Sequence, residues 1–207
     1  MLTLVPNDWK LEEWHGFTAR FQWRVTDEGI QTLAFVPAAE QSPVLRTRGA
    51  PVTITRIWEK YGEMVKKYSE YIGIDPRVTL AVIATESHGH PDAARYETGI
   101  NTWSFGLMQL LTTTARGVLG STTPLPGDTV GWRAFLTDPE KNILAGTRYL
   151  STVNRKQGLK DDPVLMYAAY NSGTARVSGT TKWRMVYYGN AMDNFAAWYG
   201  DACEVLK

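Results

Sequence analysis

Asp-Pro occurs at three places in this chain, Asp75-Pro76, Asp138-Pro139 and Asp162-Pro163, and each pair opens a run of helical character. An Asp side chain ahead of the first turn accepts a hydrogen bond from a backbone N–H that has no helical partner. Proline directly after it enters the helix with its φ already set. The first pair predicts a short, largely apolar helix over 76–87. The second predicts one that continues through Ile143, Leu144, Thr147 and Leu150. The third places Val164, Tyr167, Ala168 and Asn171 on one stripe of a helix that ends at Gly173. Ahead of these, Ile54, Ile57, Trp58, Tyr61, Met64, Val65, Tyr68, Tyr71 and Ile72 fall at three- and four-residue steps. They form one wide apolar face, which predicts a long helix from Val52 to near Gly73. Helix is also expected over about 106–116 and about 183–199. Residues 88–105 are rich in Gly, His, Asn and Asp and read as a loop or a few turns. Residues 117–137, with Gly120, Pro124, Pro126 and Gly127, read as a surface loop.

The first fifty residues differ. Phe17, Ala19, Phe21, Trp23 and Val25 alternate with polar residues, the period of a half-buried strand. A turn at 26–29 and a return strand over 30–36 make a hairpin, followed by an irregular stretch to Pro51. The chain is therefore expected to be mainly α, with a β element and linker over 1–50 and a helical domain over 51–207. The β element could dock to a partner, bind the wall or cover the helical core; so small an element rarely folds alone, which favours the covering role.

Several classes are excluded at this stage. The net charge is +1 with no basic stripe, which argues against a nucleic-acid partner. Cys203 is the only cysteine, so no internal disulfide can form. No run approaches 18 apolar residues, so no membrane span is expected. Met1 to Lys10 lacks the basic start and apolar stretch of a signal peptide. His88 and His90, with Asp92 nearby, lack the helical ligand spacing of a zinc protease, so no metal is expected.

Glu86 continues the stripe of Val78 and Val82. A carboxyl so placed is partly desolvated, holds its proton near neutral pH and can donate it to a glycosidic oxygen. A helix-end Glu facing water is the plainer alternative. Gly106-Leu107-Met108-Gln109 offers a close backbone approach and an amide able to hold a sugar substituent, though a buried turn explains it equally well. Ala168-Ala169-Tyr170-Asn171 could turn polar tips into a cleft or simply close a helix. Asp92 and Glu97 follow Glu86 most closely and are the candidates for a second acid that holds a water.

In their order, these three elements resemble the soluble lytic transglycosylase family, which shares its fold with goose-type lysozymes. The likeness extends to Pro91-Asp92-Ala93, to Thr112–Ala115, and to Asp138-Pro139-Glu140-Lys141-Asn142-Ile143 with Gly146, Tyr149 and Leu150. It covers roughly residues 52–200 and implies an α+β lysozyme-like fold. It further implies cleavage of the β-1,4 bond between N-acetylmuramic acid and N-acetylglucosamine with closure of a 1,6-anhydro ring. In that reading Glu86 is the single acid and base. Ser87, Met108, Gln109, Tyr170 and Asn171 bind the glycan, and no cofactor is needed. The alternatives are a muramidase, with Asp92 or Glu97 positioning water, and a wall-binding module without turnover. The segment from Glu86 to Gln109 is about five residues longer than the family's usual spacing, with the excess around Tyr96 to Trp103. Peptidoglycan is the expected partner, a monomer the expected state, and a phage or prophage lysis enzyme the expected setting.

Overall fold

The computed structural model describes residues 15–18, 21–32, 43–120, 124–175 and 190–207. Within them the protein is mainly α, with a lysozyme-like arrangement of seven helices and two small sheets. The long apolar face forms α1 (Val52–Ile72), which buries Ile54, Ile57, Tyr61 and Val65. It stops where Gly73 turns left-handed at φ 79° and its N–H returns to the Ser69 carbonyl at 2.8 Å. Next comes α2 (Pro76–Ser87), capped by the Asp75 carboxylate on the Arg77 N–H at 2.8 Å. Every residue from Val78 to Ala84 is buried. Each large apolar side chain in that run contributes roughly 2 kcal/mol relative to exposure. Its one polar member, Thr79, pairs its hydroxyl with that of Ser69 at 3.1 Å. This central helix lies between α1 and α7 (Asn190–Val205).

The other two Asp-Pro starts become α5 (Pro139–Gln157) and α6 (Pro163–Ser172), each with its Asp side chain on the first-turn N–H groups. Asp162 is fully buried and also accepts the Trp23 indole N–H at 2.7 Å. One carboxylate thus caps α6 and anchors the N-terminal sheet. Burial pushes its pKa up, and the Trp23 hydrogen bond works against that rise.

That sheet departs from one long strand. Residues His15–Thr18 (β1) and Phe21–Thr26 (β2) pair antiparallel, and β2 pairs in turn with β3 (Gly29–Thr32). The alternation across 17–25 is therefore shared by two strands. Residues 33–36 of the expected return strand lie outside the described residues. Trp23, Val25 and Ile30 are buried, and β3 packs on α7.

Three further departures concern the middle of the chain. The expected loop over 88–105 contains a hairpin, β4 (Ala94–Glu97) and β5 (Thr102–Phe105), completed by β6 (Leu110–Leu111). Its four-residue strands mix charged and exposed aromatic residues, so no apolar alternation marks them. The helix expected from 106 begins only at α3 (Thr112–Leu119), because Gly106 (φ 79°) and Gln109 (φ 45°) take left-handed conformations that a right-handed helix excludes. The expected loop over 117–137 holds α4 (Thr129–Leu136), which starts where Asp128 caps the Gly131 N–H at 2.7 Å. At the C-terminal end, α7 runs on to Val205 rather than stopping near 199, and residues 183–189 lie outside the described residues.

Candidate active site

The site is built on the end of α2. Glu86 occupies its last turn, and the helix closes at His88 in the left-handed conformation. The next residue after the acid, Ser87, is buried. Its hydroxyl donates to the Leu107 carbonyl at 2.7 Å and accepts the Gly89 N–H at 3.2 Å. Ser87 therefore ties the end of α2 to the turn at Gly106–Gln109 and does not line the cleft.

That turn is held from below by Asn142 of α5, itself fully buried. The Asn142 amide donates to the carbonyls of Phe105 (3.0 Å) and Leu136 (2.8 Å), and its oxygen accepts the Met108 N–H at 2.8 Å. A side chain at Gly106 would collide with the Leu136 carbonyl and with Asn142, so only glycine fits. The Met108 side chain is buried against Gly146, where a Cβ would meet its sulfur. Its carbonyl accepts the Tyr170 hydroxyl at 2.6 Å. Ser87 and Met108, expected to touch the glycan, are thus engaged in the packing beneath the site.

A cavity of about 330 Å³ opens above this turn. Glu86, Tyr170 and Asn171 line it from the helices, and Arg95, Glu97 and Gln109 from the hairpin side. Gln109 is committed to the protein: its amide donates to the carbonyls of Ala93 (3.1 Å) and Gly106 (2.9 Å), and its oxygen lies 3.1 Å from the Ser104 hydroxyl oxygen. Tyr149 of α5 also reaches the cavity, its ring 5.1 Å from that of Tyr170. Asp92 is exposed and is not among the lining residues. Of the two candidate second acids, only Glu97 shares the cavity with Glu86.

Glu86 is half-buried, and its Oε1 accepts the hydroxyl of Tyr167 at 3.0 Å. Burial raises its pKa above the ordinary glutamate value. The Tyr167 hydrogen bond and the charge of Arg95 oppose the rise, the charge of Glu97 adds to it, and Asn171 opposes it through a further hydrogen bond. Burial wins, so the carboxyl is biased toward its protonated form. Glu97 ends the other way. Burial acts to raise it, but hydrogen bonds from Arg95 (2.7 Å) and Ser104 (2.8 Å) hold it below the usual range. Two carboxyls of one cleft are thereby driven apart, one toward acid and one toward anion.

Tyr167 and Arg95 are neighbours of Glu86 that the sequence reading did not single out as site residues. Tyr167 had a usable signal: it stands four residues before Asn171 and three before Tyr170, on the same side of α6. It is fully buried and stacks on Phe195 of α7 at 4.4 Å between ring centroids, which fixes the phenol that meets Glu86. Arg95 had no such signal, because its position depends on a hairpin that has no apolar pattern.

A half-buried acid at the end of a central helix, facing a cleft walled by a small sheet, defines a lysozyme-like domain. Residues 63–187 match the model of the transglycosylase SLT domain, and the chain belongs to that family. It is 33% identical over 130 residues to the membrane-bound lytic murein transglycosylase C of Edwardsiella ictaluri, covering 57% of this chain and 32% of that protein. With the enzyme of the same name from Serratia proteamaculans the identity is 34% over 130 residues, with the same coverage. With the endo-type membrane-bound lytic murein transglycosylase A of Salmonella paratyphi B it is 36% over 104 residues, covering 46% of this chain and 45% of the relative. The chain thus spans less than half the length of these relatives. No described helix is long and apolar enough to cross a membrane.

Proposed function

We propose that the protein is a peptidoglycan lytic transglycosylase with Glu86 as its one acid and base. The observation that carries this reading is the burial of Glu86 at the cleft floor with a raised pKa. Protonated Glu86 donates to the oxygen that leaves the muramyl C1 as the β-1,4 bond breaks. The positive charge that develops on that ring is met by the sugar's own N-acetyl oxygen. The carboxylate left on Glu86 then takes the proton from the C6 hydroxyl as its oxygen closes on C1. Atoms balance without water, and the intramolecular attack benefits from proximity. The hydrogen bond from Tyr167 supports the carboxylate formed midway, so the same group serves both halves of the cycle.

The second reading is a muramidase, and the presence of Glu97 in the same cavity favours it. Glu97 would then activate a water for attack on C1. Against it stands the engagement of Glu97 with Arg95 and Ser104. Product masses from purified sacculi separate the two. Anhydro-muropeptides, lighter by one water than reducing muropeptides, are expected. Reducing ends alone would establish the muramidase instead. A wall-binding module is tested by the same digestion: it would bind sacculi and release nothing.

The bacteriolytic setting, that of a phage or prophage lysis enzyme, is proposed on the wall-cleaving chemistry alone. Clearing of permeabilised cells by the wild type and not by Glu86→Gln is its test.

A further inference from the structure

Among the described residues, Arg95 is the only cation that lines the cavity. It sits on β4. Its Nε donates to Glu97 Oε1 at 2.7 Å. Glu97 is in turn fixed by the Ser104 hydroxyl at 2.8 Å, and Ser104 also meets Gln109. This chain of contacts holds one edge of the guanidinium. The two η nitrogens make no hydrogen bond among the described residues, and the side chain is 60% exposed. A guanidinium steadied along one edge and open along the other suits a planar anion, which it can take through two parallel N–H groups. The sugar hydroxyls and N-acetyl groups of a glycan make no special demand for such a cation. The muramyl sugar does, because its lactyl ether ends in a carboxyl group. That group is a free carboxylate on peptide-free glycan, and on substituted glycan it carries a peptide stem with carboxylates of its own.

We propose that Arg95 is a specificity-determining residue, which engages a carboxylate borne by the muramyl substituent through its free η edge. The inference rests on the peptidoglycan reading of the cleft. It adds to that reading a wall that recognises the charge on the substituent, distinct from the helical floor that acts on the glycosidic bond. The Glu97 carboxylate orients Arg95 and keeps the wall near electrical neutrality before the substrate arrives. Arg95 also bears electrostatically on Glu86 and Tyr167, so substrate charge arriving at Arg95 is felt at the acid.

The test uses binding to the non-cleaving Glu86→Gln chain, with and without Arg95→Gln. Calorimetry is run with three glycan oligomers of equal length: chitin oligosaccharide with no carboxylate, peptide-free glycan with lactyl carboxylates, and peptide-bearing glycan. Arg95→Gln is expected to weaken at least one carboxylate-bearing ligand about tenfold, the weight of one charge-assisted hydrogen-bonded contact. The ratio of its affinity to that of the chitin oligomer falls by the same factor. Loss on the peptide-free glycan identifies the lactyl carboxylate, and loss on the peptide-bearing glycan alone identifies the stem. Arg95→Lys recovers part of the preference, because charge returns without the fork. Equal weakening for all three ligands, or no weakening, overturns the inference while leaving the cleft's reading intact. If the Glu86→Gln chain with Arg95 intact binds none of the three, the peptidoglycan reading itself fails, and the inference falls with it.

Discussion

The two sides of the cleft are made differently. The floor consists of helix ends, α2 with the half-buried Glu86 and α6 with the buried Tyr167 and Tyr170 and the exposed Asn171. The wall is the β4–β5 hairpin, whose residues are largely exposed and whose order comes from polar contacts and rings: Arg95 to Glu97, Ser104 to Glu97, and Tyr96 beside Trp103 at 5.2 Å. At Glu86 desolvation outweighs the opposing Tyr167 hydrogen bond and Arg95 charge, whereas at Glu97 the contacts with Arg95 and Ser104 outweigh it. Exposure suits the wall to recognition, since its charges remain available to a ligand. On the proposed function, the difference predicts that changes in the floor act on bond cleavage or on folding, and that changes in the wall act on which glycan is held.

The largest test of that division is Glu86→Gln. It is expected to lower the rate of muropeptide release from sacculi by about 10²–10⁴-fold while binding to sacculi persists. Retained release would remove the floor's claim to the chemistry. Second is Asn142→Ala, which strips three hydrogen bonds from the turn joining floor to wall. Leaving those buried backbone groups unpaired is expected to cost about 3 kcal/mol in a urea unfolding titration.

Tyr167→Phe removes the hydrogen bond that favours the ionised form of Glu86. The Glu86 pKa then rises further, so the alkaline limb of the activity profile moves to higher pH. The rate at the optimum is expected to fall about tenfold, as the carboxylate formed midway loses a partner. An unmoved alkaline limb would detach Tyr167 from the acid. In the wall, Glu97→Gln is expected to change the rate by less than about tenfold and to leave anhydro products unchanged. A loss as deep as that of Glu86→Gln would make Glu97 a second catalytic carboxyl and erase the contrast between the two sides.

The smallest effect is on stability. A folded-state pKa raised above the unfolded value means that stability is full at low pH and is lost as pH rises through the folded value. Glu86→Gln escapes that loss. Its melting temperature should exceed that of the wild type at neutral and alkaline pH. The difference should vanish below about pH 4, where the unfolded carboxyl is protonated as well.

The same division explains what could be read from the sequence. The helical floor was legible through its starts and stops: the Asp-Pro pairs and the Gly173 stop correspond to observed helix caps, whereas α2 is buried all round from Val78 to Ala84, so Val78, Val82 and Glu86 mark no separate face. The hairpin was not, since four-residue strands bearing Arg95, Glu97 and Trp103 bury too little to leave an alternation. Gly106–Gln109 was legible as a motif but not as a shape. Its left-handed residues are imposed by Asn142, more than thirty positions away. For that reason Ser87 and Met108 read as glycan contacts, whereas the structure has them binding the turn to the core. Tyr167 lay on a stripe already in view, yet only the approach of α6 to α2 brings its hydroxyl to Glu86.

Carboxyl-carbon NMR across a pH titration, with the Glu86 signal assigned by its absence in Glu86→Gln, tests the central claim most directly. The account predicts a midpoint above the ordinary glutamate value of about 4.3. A midpoint at or below that value would mean an ionised side chain at neutral pH, with no proton to give, and would contradict it.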